Sequence, residues 1–253
     1  MLIANKPTKE KGFTLIELMI AMMLGLIVIG GALSIYISTI KSSSDVVNSA
    51  RLNYDLDSTM QLMINDIRRA GYTGGAVAGA NAVNNNFAQA TTDIQIRNVA
   101  NPTTAINSGN CILYTYDADG DDVVDTNEYY GFRLNGAVLE MRITGTVATA
   151  QSCGVNAEWN NAVDENKVSI SSLSFDDNNS QCFNSTSSIL YAPGGSDKSC
   201  PAVAVGGFSV AGNMLVETRE IAITLTGNVI NDAPVSKNLI GNVKVRNNRI
   251  FNQ

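Results

Sequence analysis

The chain has 253 residues, 45% of them apolar and 16% charged, which is enough for a packed domain and too apolar for a disordered chain. Its formal charge is −6, and an acidic body repels phosphate, so direct nucleic-acid binding through a basic surface is not expected. Histidine is absent, which excludes His-based triads, HExxH sites and His-containing zinc sites.

The first element is a basic leader, residues 1–12, holding Lys6, Lys9 and Lys11 against Glu10 and ending at Gly12. Its removal takes the net charge from −6 to −8. Leu18 to Ile40 then runs for 23 residues without a charge. At about 1.5 Å rise per residue this crosses a hydrocarbon core of about 30 Å. Cytoplasmic retention of the preceding lysines places everything after Ile40 outside the cytoplasm. An ordinary secretory signal has its small-residue cleavage site after the apolar run. Here Gly12 precedes it, so cleavage there removes the leader and keeps the hydrophobic helix.

The segment Lys11-Gly12-Phe13-Thr14-Leu15-Ile16-Glu17 resembles the prepilin signature of type IV pilins and type II secretion pseudopilins. The resemblance implies cleavage between Gly12 and Phe13 by a membrane peptidase and methylation of the new N-terminus at Phe13. It also gives Glu17 a role. A carboxylate in an apolar spanning helix costs roughly 2.5–3.5 kcal/mol and calls for a partner. In the family that partner is the N-terminal amine of a neighbouring subunit, so Glu17 is the expected assembly residue. Gly25, Gly30 and Gly31 weaken the helix, and no proline interrupts the sequence between Pro7 and Pro102.

From Lys41 the chain turns polar but keeps helical spacing, with Val46, Ala50, Leu56, Met60, Met63, Ile64 and Ile67 mostly on one face. One helix is predicted from about Phe13 to about Ala70, stopped by Gly71. The segment Asp66-Ile67-Arg68-Arg69-Ala70-Gly71-Tyr72 resembles the end of this helix in the PilW family of minor pilins and in J-type minor pseudopilins. The domain division expected from this is a cleaved leader (1–12), a membrane or filament-core helix (13–40), its amphipathic continuation (41–72) and a β-rich head (73–253).

Residues 73–90 are rich in Gly, Ala and Asn and read as a long surface loop. Alternating runs predict strands at 93–99, 111–116, 129–134, 138–144, 168–175 and 217–226, with a further one at 243–246. Asn135-Gly136 is a hairpin-turn signal. Strands segregated after one long helix give an α+β fold with an antiparallel sheet covering the helix, and the resemblance implies that this is the type IV pilin fold.

The loop from Asp117 to Glu128 can be read as a twelve-residue Ca2+ loop. It offers Asp117, Asp119, Asp121, Asp125 and Glu128 as carboxylates and Val123 as a backbone carbonyl. Asp122 stands where that loop normally has glycine. A structural Ca2+ site and a solvated acidic hairpin loop are both open readings. Cys111, Cys153, Cys182 and Cys200 show no CxxC spacing, and an even count in an exported chain favours disulfides. Of three pairings, Cys111–Cys153 with Cys182–Cys200 closes the shorter loops.

The function implied by the resemblance is that of a minor pilin which primes assembly at the filament tip. Its partners would be other minor pilins, the major pilin, the prepilin peptidase, an inner-membrane assembly platform and a tip adhesin. The chain would sit in the inner membrane with a periplasmic head, and then on the surface in the pilus. Alternatives are a type II secretion minor pseudopilin and a calcium-dependent, membrane-anchored adhesin. A membrane-anchored enzyme has no GxSxG motif to support it.

Overall fold

Helix α1 spans Leu15–Ile67. The computed structural model describes residues 12–74, 83, 85–154, 158–192, 199–201, 203–230 and 232–253. The leader, apart from Gly12, lies outside the described residues, as do residues 75–82 and 84 of the predicted loop 73–90. The chain divides into two compact units, one ending at Asn48 and one running from Ser49 to Gln253.

In the first unit, residues 12–44 are exposed apart from the half-buried Gly25. Leu15, Ile20, Leu24, Ile27 and Ile37 all face outward, so apolar groups cover the helix on every side. A helix apolar all round has no solvent face and is built for lipid or for other helices. By length and composition it can cross a membrane.

In the second unit, α1 turns amphipathic and buries Leu52, Leu56, Met60, Met63 and Ile67. Val46 and Ala50, predicted on this stripe, are exposed, and Leu52 joins it instead. Against the stripe stand two antiparallel sheets. The six-stranded one has the order β2 (Asn101–Ala105), β1 (Gln95–Asn98), β4 (Cys111–Thr115), β5 (Tyr129–Asn135), β6 (Val138–Arg142), β7 (Trp159–Asn161). The four-stranded one has the order β13 (Asp232–Lys244), β12 (Glu220–Val229), β8 (Val168–Asp176), β3 (Ser108–Gly109). The main core joins the helix stripe to Ile96, Ile112, Phe132 and Leu139 of the first sheet and to Ile170, Phe175, Ile223 and Leu225 of the second. This is the α+β pilin fold, with its β-structure divided among three sheets.

The third sheet, β10 (Ile189–Leu190), β9 (Gln181–Asn184), β11 (Met214–Thr218), β14 (Arg249–Asn252), was not expected. The predicted strand 217–226 breaks at Arg219 into β11 and β12, which belong to different sheets. The cause is charge: Arg219 is 5% exposed, ion-paired with Asp93, and donates to the Asn247 carbonyl at 3.1 Å. Arg249 bridges Asp93 at 3.3 Å and Glu217 at 3.5 Å, and Glu217 also accepts from the Cys200 amide at 3.1 Å. Burial and the like charge of Arg249 lower the Arg219 pKa to about 9. This network ties the third sheet to the start of β1.

The helix meets β12 and β13 closely. A Cβ on Gly227 would lie 3.0 Å from Leu56 Cδ2, and one on Gly241 would lie 3.0 Å from Ile64 Cδ1 and Met60 Sδ. Both glycines let the backbone approach the helix. The β5–β6 turn pairs Asn135 with Val138, so its two central residues are Gly136 (φ 63°) and Ala137. The sequence signal therefore marks the turn one residue early, with glycine at the first central position as a type II′ turn requires. The predicted loop 73–90 is not all surface, because Phe87 is fully buried in a short 3-10 turn capped by Asn85.

Candidate functional site

The processing signature sits at the start of α1. Thr14 is the N-cap: its Oγ1 accepts from the Glu17 amide at 3.3 Å, and Glu17 Oε2 accepts from the Thr14 amide at 3.4 Å. This is the reciprocal capping box, in which one pair of side chains satisfies donors that the helix start leaves open. The Thr14 hydroxyl also donates to Glu17 at 3.3 Å. Sequence reasoning passed over Thr14, although T-x-x-E ahead of an apolar run is the legible signal. Glu17 therefore caps its own helix, exposed, in the isolated chain. A side chain at Gly12 would meet nothing within 4 Å, so packing places no demand for glycine there. Phe13 is 83% exposed.

At its other end the helix is latched to β4. Asp66 accepts from the Tyr114 hydroxyl at 2.6 Å and from the Tyr116 hydroxyl at 3.0 Å. The Arg69 guanidinium lies 4.0 Å from the centroid of the Tyr116 ring, which stacks on Tyr130 at 4.0 Å. Burial and the Asp66 charge raise Tyr114 well above the ordinary tyrosine range and raise Tyr116 as well, so both remain protonated donors. Gly71, at φ 71°, ends the helix in the left-handed region and donates to the Thr115 carbonyl at 2.9 Å. Tyr72 accepts through its carbonyl from the Asp117 amide at 2.9 Å, so the 66–72 segment leads straight into the acidic loop.

In that loop Asp117, Asp119 and Asp121 place carboxylate oxygens within 4.8 Å of one another, so this group could hold a metal ion. Asp125 and Glu128 stand outside the group. Glu128 is fully buried and accepts from the Ala118 amide at 2.6 Å and the Asp125 amide at 2.9 Å, an internal capping box. Asp117 accepts from the amides of Gly74 (2.7 Å), Gly120 (2.6 Å) and Asp122 (3.1 Å). Burial works against its charge, but these amide donors outweigh it and hold the Asp117 carboxyl below the ordinary range. Asp122 takes the left-handed conformation (φ 63°) that a calcium loop normally gives to glycine, a region aspartate tolerates better than most residues. Amide donors thus do part of the work that a cation would do, and a bound ion would complete its shell largely with water or carbonyl oxygens.

The disulfides are Cys111–Cys153 and Cys182–Cys200, the short-loop pairing. Cys111–Cys153 lies among Leu113 and Trp159 on the second face of the six-stranded sheet. There Arg133 covers the Trp159 ring at 4.2 Å, pairs with Glu140 at 2.5 Å and donates to the Cys153 carbonyl at 2.9 Å. These contacts hold the crosslink rather than any reacting group.

Residues 45–245 match the family described as prepilin peptidase-dependent protein B. The chain belongs to that family. Residues 7–33 match the prokaryotic N-terminal methylation motif, which overlays the Gly12–Phe13 junction, the capping box and the start of the apolar helix. No curated protein and no solved structure matches the chain. Family, motif, membrane-compatible helix and fold agree on a type IV pilin-like minor pilin, a pilin or pseudopilin subunit. The PilW family is not what the match names.

Proposed function

We propose that the chain is a minor pilin that primes pilus assembly at the filament tip, and so supports pilus-dependent adhesion, twitching motility or DNA uptake. The observation that carries this reading is the exposed, all-round apolar helix with one carboxylate, Glu17, in its first turn. Cleavage after Gly12 would expose the Phe13 amine, and methylation would follow there. In a bundle of such helices the neighbour's amine would compensate Glu17, while apolar packing would hold the helix. The head would stand in the periplasm before assembly and on the surface afterwards. Other minor pilins, the major pilin, an inner-membrane platform and a tip adhesin would be its neighbours. No catalytic step is assigned to it.

The test is a deletion strain scored for surface pili and complemented with wild type, Gly12→Val and Glu17→Ala. A side chain at residue 12 meets no atom of the fold, so loss of function in Gly12→Val reports processing and not misfolding. Full piliation without the gene would remove the assembly role.

For the acidic loop we propose a structural Ca2+ held by Asp117, Asp119 and Asp121, the three carboxylates that converge. Val123, Asp125 and Glu128 complete the loop's expected ligand pattern but are assigned no direct bond. Thermal unfolding of the purified chain in Ca2+ and in EGTA tests it: equal midpoints would leave the loop as an acidic hairpin held by its own amides.

A further inference from the structure

The head carries a basic cleft apart from the apolar helix and its processing site. Arg68, Thr218, Lys244, Val245, Arg246 and Asn248 line an open cavity of about 520 Å³ at the C-terminal end of α1. Alternation along the chain puts Lys244 and Arg246 on one side with Val245 buried between them. The Arg246 amide donates to the Arg68 carbonyl at 3.2 Å, which brings the third cation to the same wall.

Most cations elsewhere in the head are committed. Arg133 pairs with Glu140, Arg142 with Glu158, Arg219 and Arg249 with Asp93, and Lys237 with Asp57. Arg69 stacks on Tyr116. Arg68, Lys244 and Arg246 make no ion pair with any described residue, although the chain is acidic as a whole. Three like charges facing one cleft repel unless water or an anion screens them. Arginine presents a planar fork of donors matched to a carboxylate, and Thr218 and Asn248 add neutral hydrogen-bonding groups beside it.

We infer that this cleft binds an acidic surface segment of a neighbouring filament subunit, through two or three carboxylates. The identity of the partner rests on the assembly role proposed above. Carboxylates are favoured over a nucleic-acid backbone by number and by field. A phosphate polymer carries a charge about every 1.7 Å of duplex and is usually held by roughly 6–10 contacts. It would overrun three cations onto a surface of net negative charge. A short acidic peptide loop brings a few charges and stops. The same head displays one acidic loop, with Asp119, Asp121 and Asp125 exposed.

The test is fluorescence anisotropy of the full mature chain in zwitterionic micelles, with a neutral-dye-labelled peptide of alternating aspartate and serine as the probe. Saturable binding is expected, weakened at least about tenfold by Lys244→Glu with Arg246→Glu, and by Arg68→Gln alone to a smaller degree. It should also fade as salt rises through the physiological range. Lys244, at the end of β13, and Arg246, just beyond it, are both exposed, so far-UV circular dichroism of the double variant should match wild type. A lysine-serine peptide should gain binding to the charge-reversed variant. No binding up to about 1 mM peptide, or binding indifferent to charge reversal, overturns the inference. So does tighter binding of oligothymidylate through the same residues. Failure here in a chain that still complements piliation refutes the cleft and leaves the assembly role standing. Peptide binding by a chain that never reaches filaments refutes the assembly role instead.

Discussion

Replacing Asp66 with alanine removes a carboxylate that joins the end of α1 to the six-stranded sheet. Two hydroxyls lose their acceptor, that of Tyr114 at 2.6 Å and that of Tyr116 at 3.0 Å, and Tyr114 is 2% exposed. Hydrogen bonds to a charged group contribute about 1.5–3 kcal/mol, and a buried donor left unpaired costs about 1–3 kcal/mol. Tyr116 keeps its contact with Arg69, so Tyr114 dominates and the expected loss is roughly 2–4 kcal/mol. For a chain of this size that lowers Tm by roughly 5–12 °C. Asp66→Asn keeps an acceptor and should cost about 1 kcal/mol, as should Tyr114→Phe, which deletes donor and need together. In Asp66→Ala with Tyr114→Phe the orphan no longer exists, so the double variant should be more stable than the sum of the singles by about 1–2 kcal/mol. Denaturant unfolding followed by fluorescence of the single tryptophan, Trp159, 8% exposed, reads all four proteins. Additivity within about 0.5 kcal/mol would refute the claim that Asp66 exists to receive Tyr114.

Gly227→Val should destabilise the head by about 1–3 kcal/mol, because even its Cβ falls 3.0 Å from Leu56 Cδ2 and 3.3 Å from Ile170 Cδ1; an unchanged denaturation midpoint would contradict the close helix approach. The depressed Asp117 carboxyl contributes stability that is present above about pH 4 and is lost as pH falls through its lowered folded value, so Asp117→Asn should flatten the acid limb of the stability curve. Tyr114 gives the opposite limb: its raised value contributes stability that is full below about pH 10 and lost as pH climbs toward the folded value, and Tyr114→Phe should remove that loss. Cys182→Ser with Cys200→Ser opens a loop of sequence separation 18 and should cost about 3 kcal/mol by loop entropy, read as a lower Tm of the oxidised protein.

The helix was legible because its two signals are long and periodic: an uncharged run through Ile40, then Leu56, Met60, Met63 and Ile67 at helical spacing. Its stop was legible because Gly71 is the residue a left-handed helix end calls for. Strands β4, β5, β6 and β8 could be read from alternation. Strand β13 could be read only at its end, because Pro234, Ser236, Asn238 and Gly241 carry little strand preference and its pairing with β12 supplies the order. The break at Arg219 was hidden since it depends on Asp93, a distant residue in sequence. The acidic loop shows the limit of motif reading. Glu128, one of the expected ligands, instead caps the backbone of its own loop.

The most direct test of the account is mass spectrometry of the chain's N-terminus in sheared surface filaments and in the membrane fraction. Filament-borne protein should begin at N-methylated Phe13, and Glu17→Ala should be processed normally yet vanish from the filament fraction. Functional filament material that still begins at Met1, or Glu17→Ala present there at wild-type abundance, would contradict it.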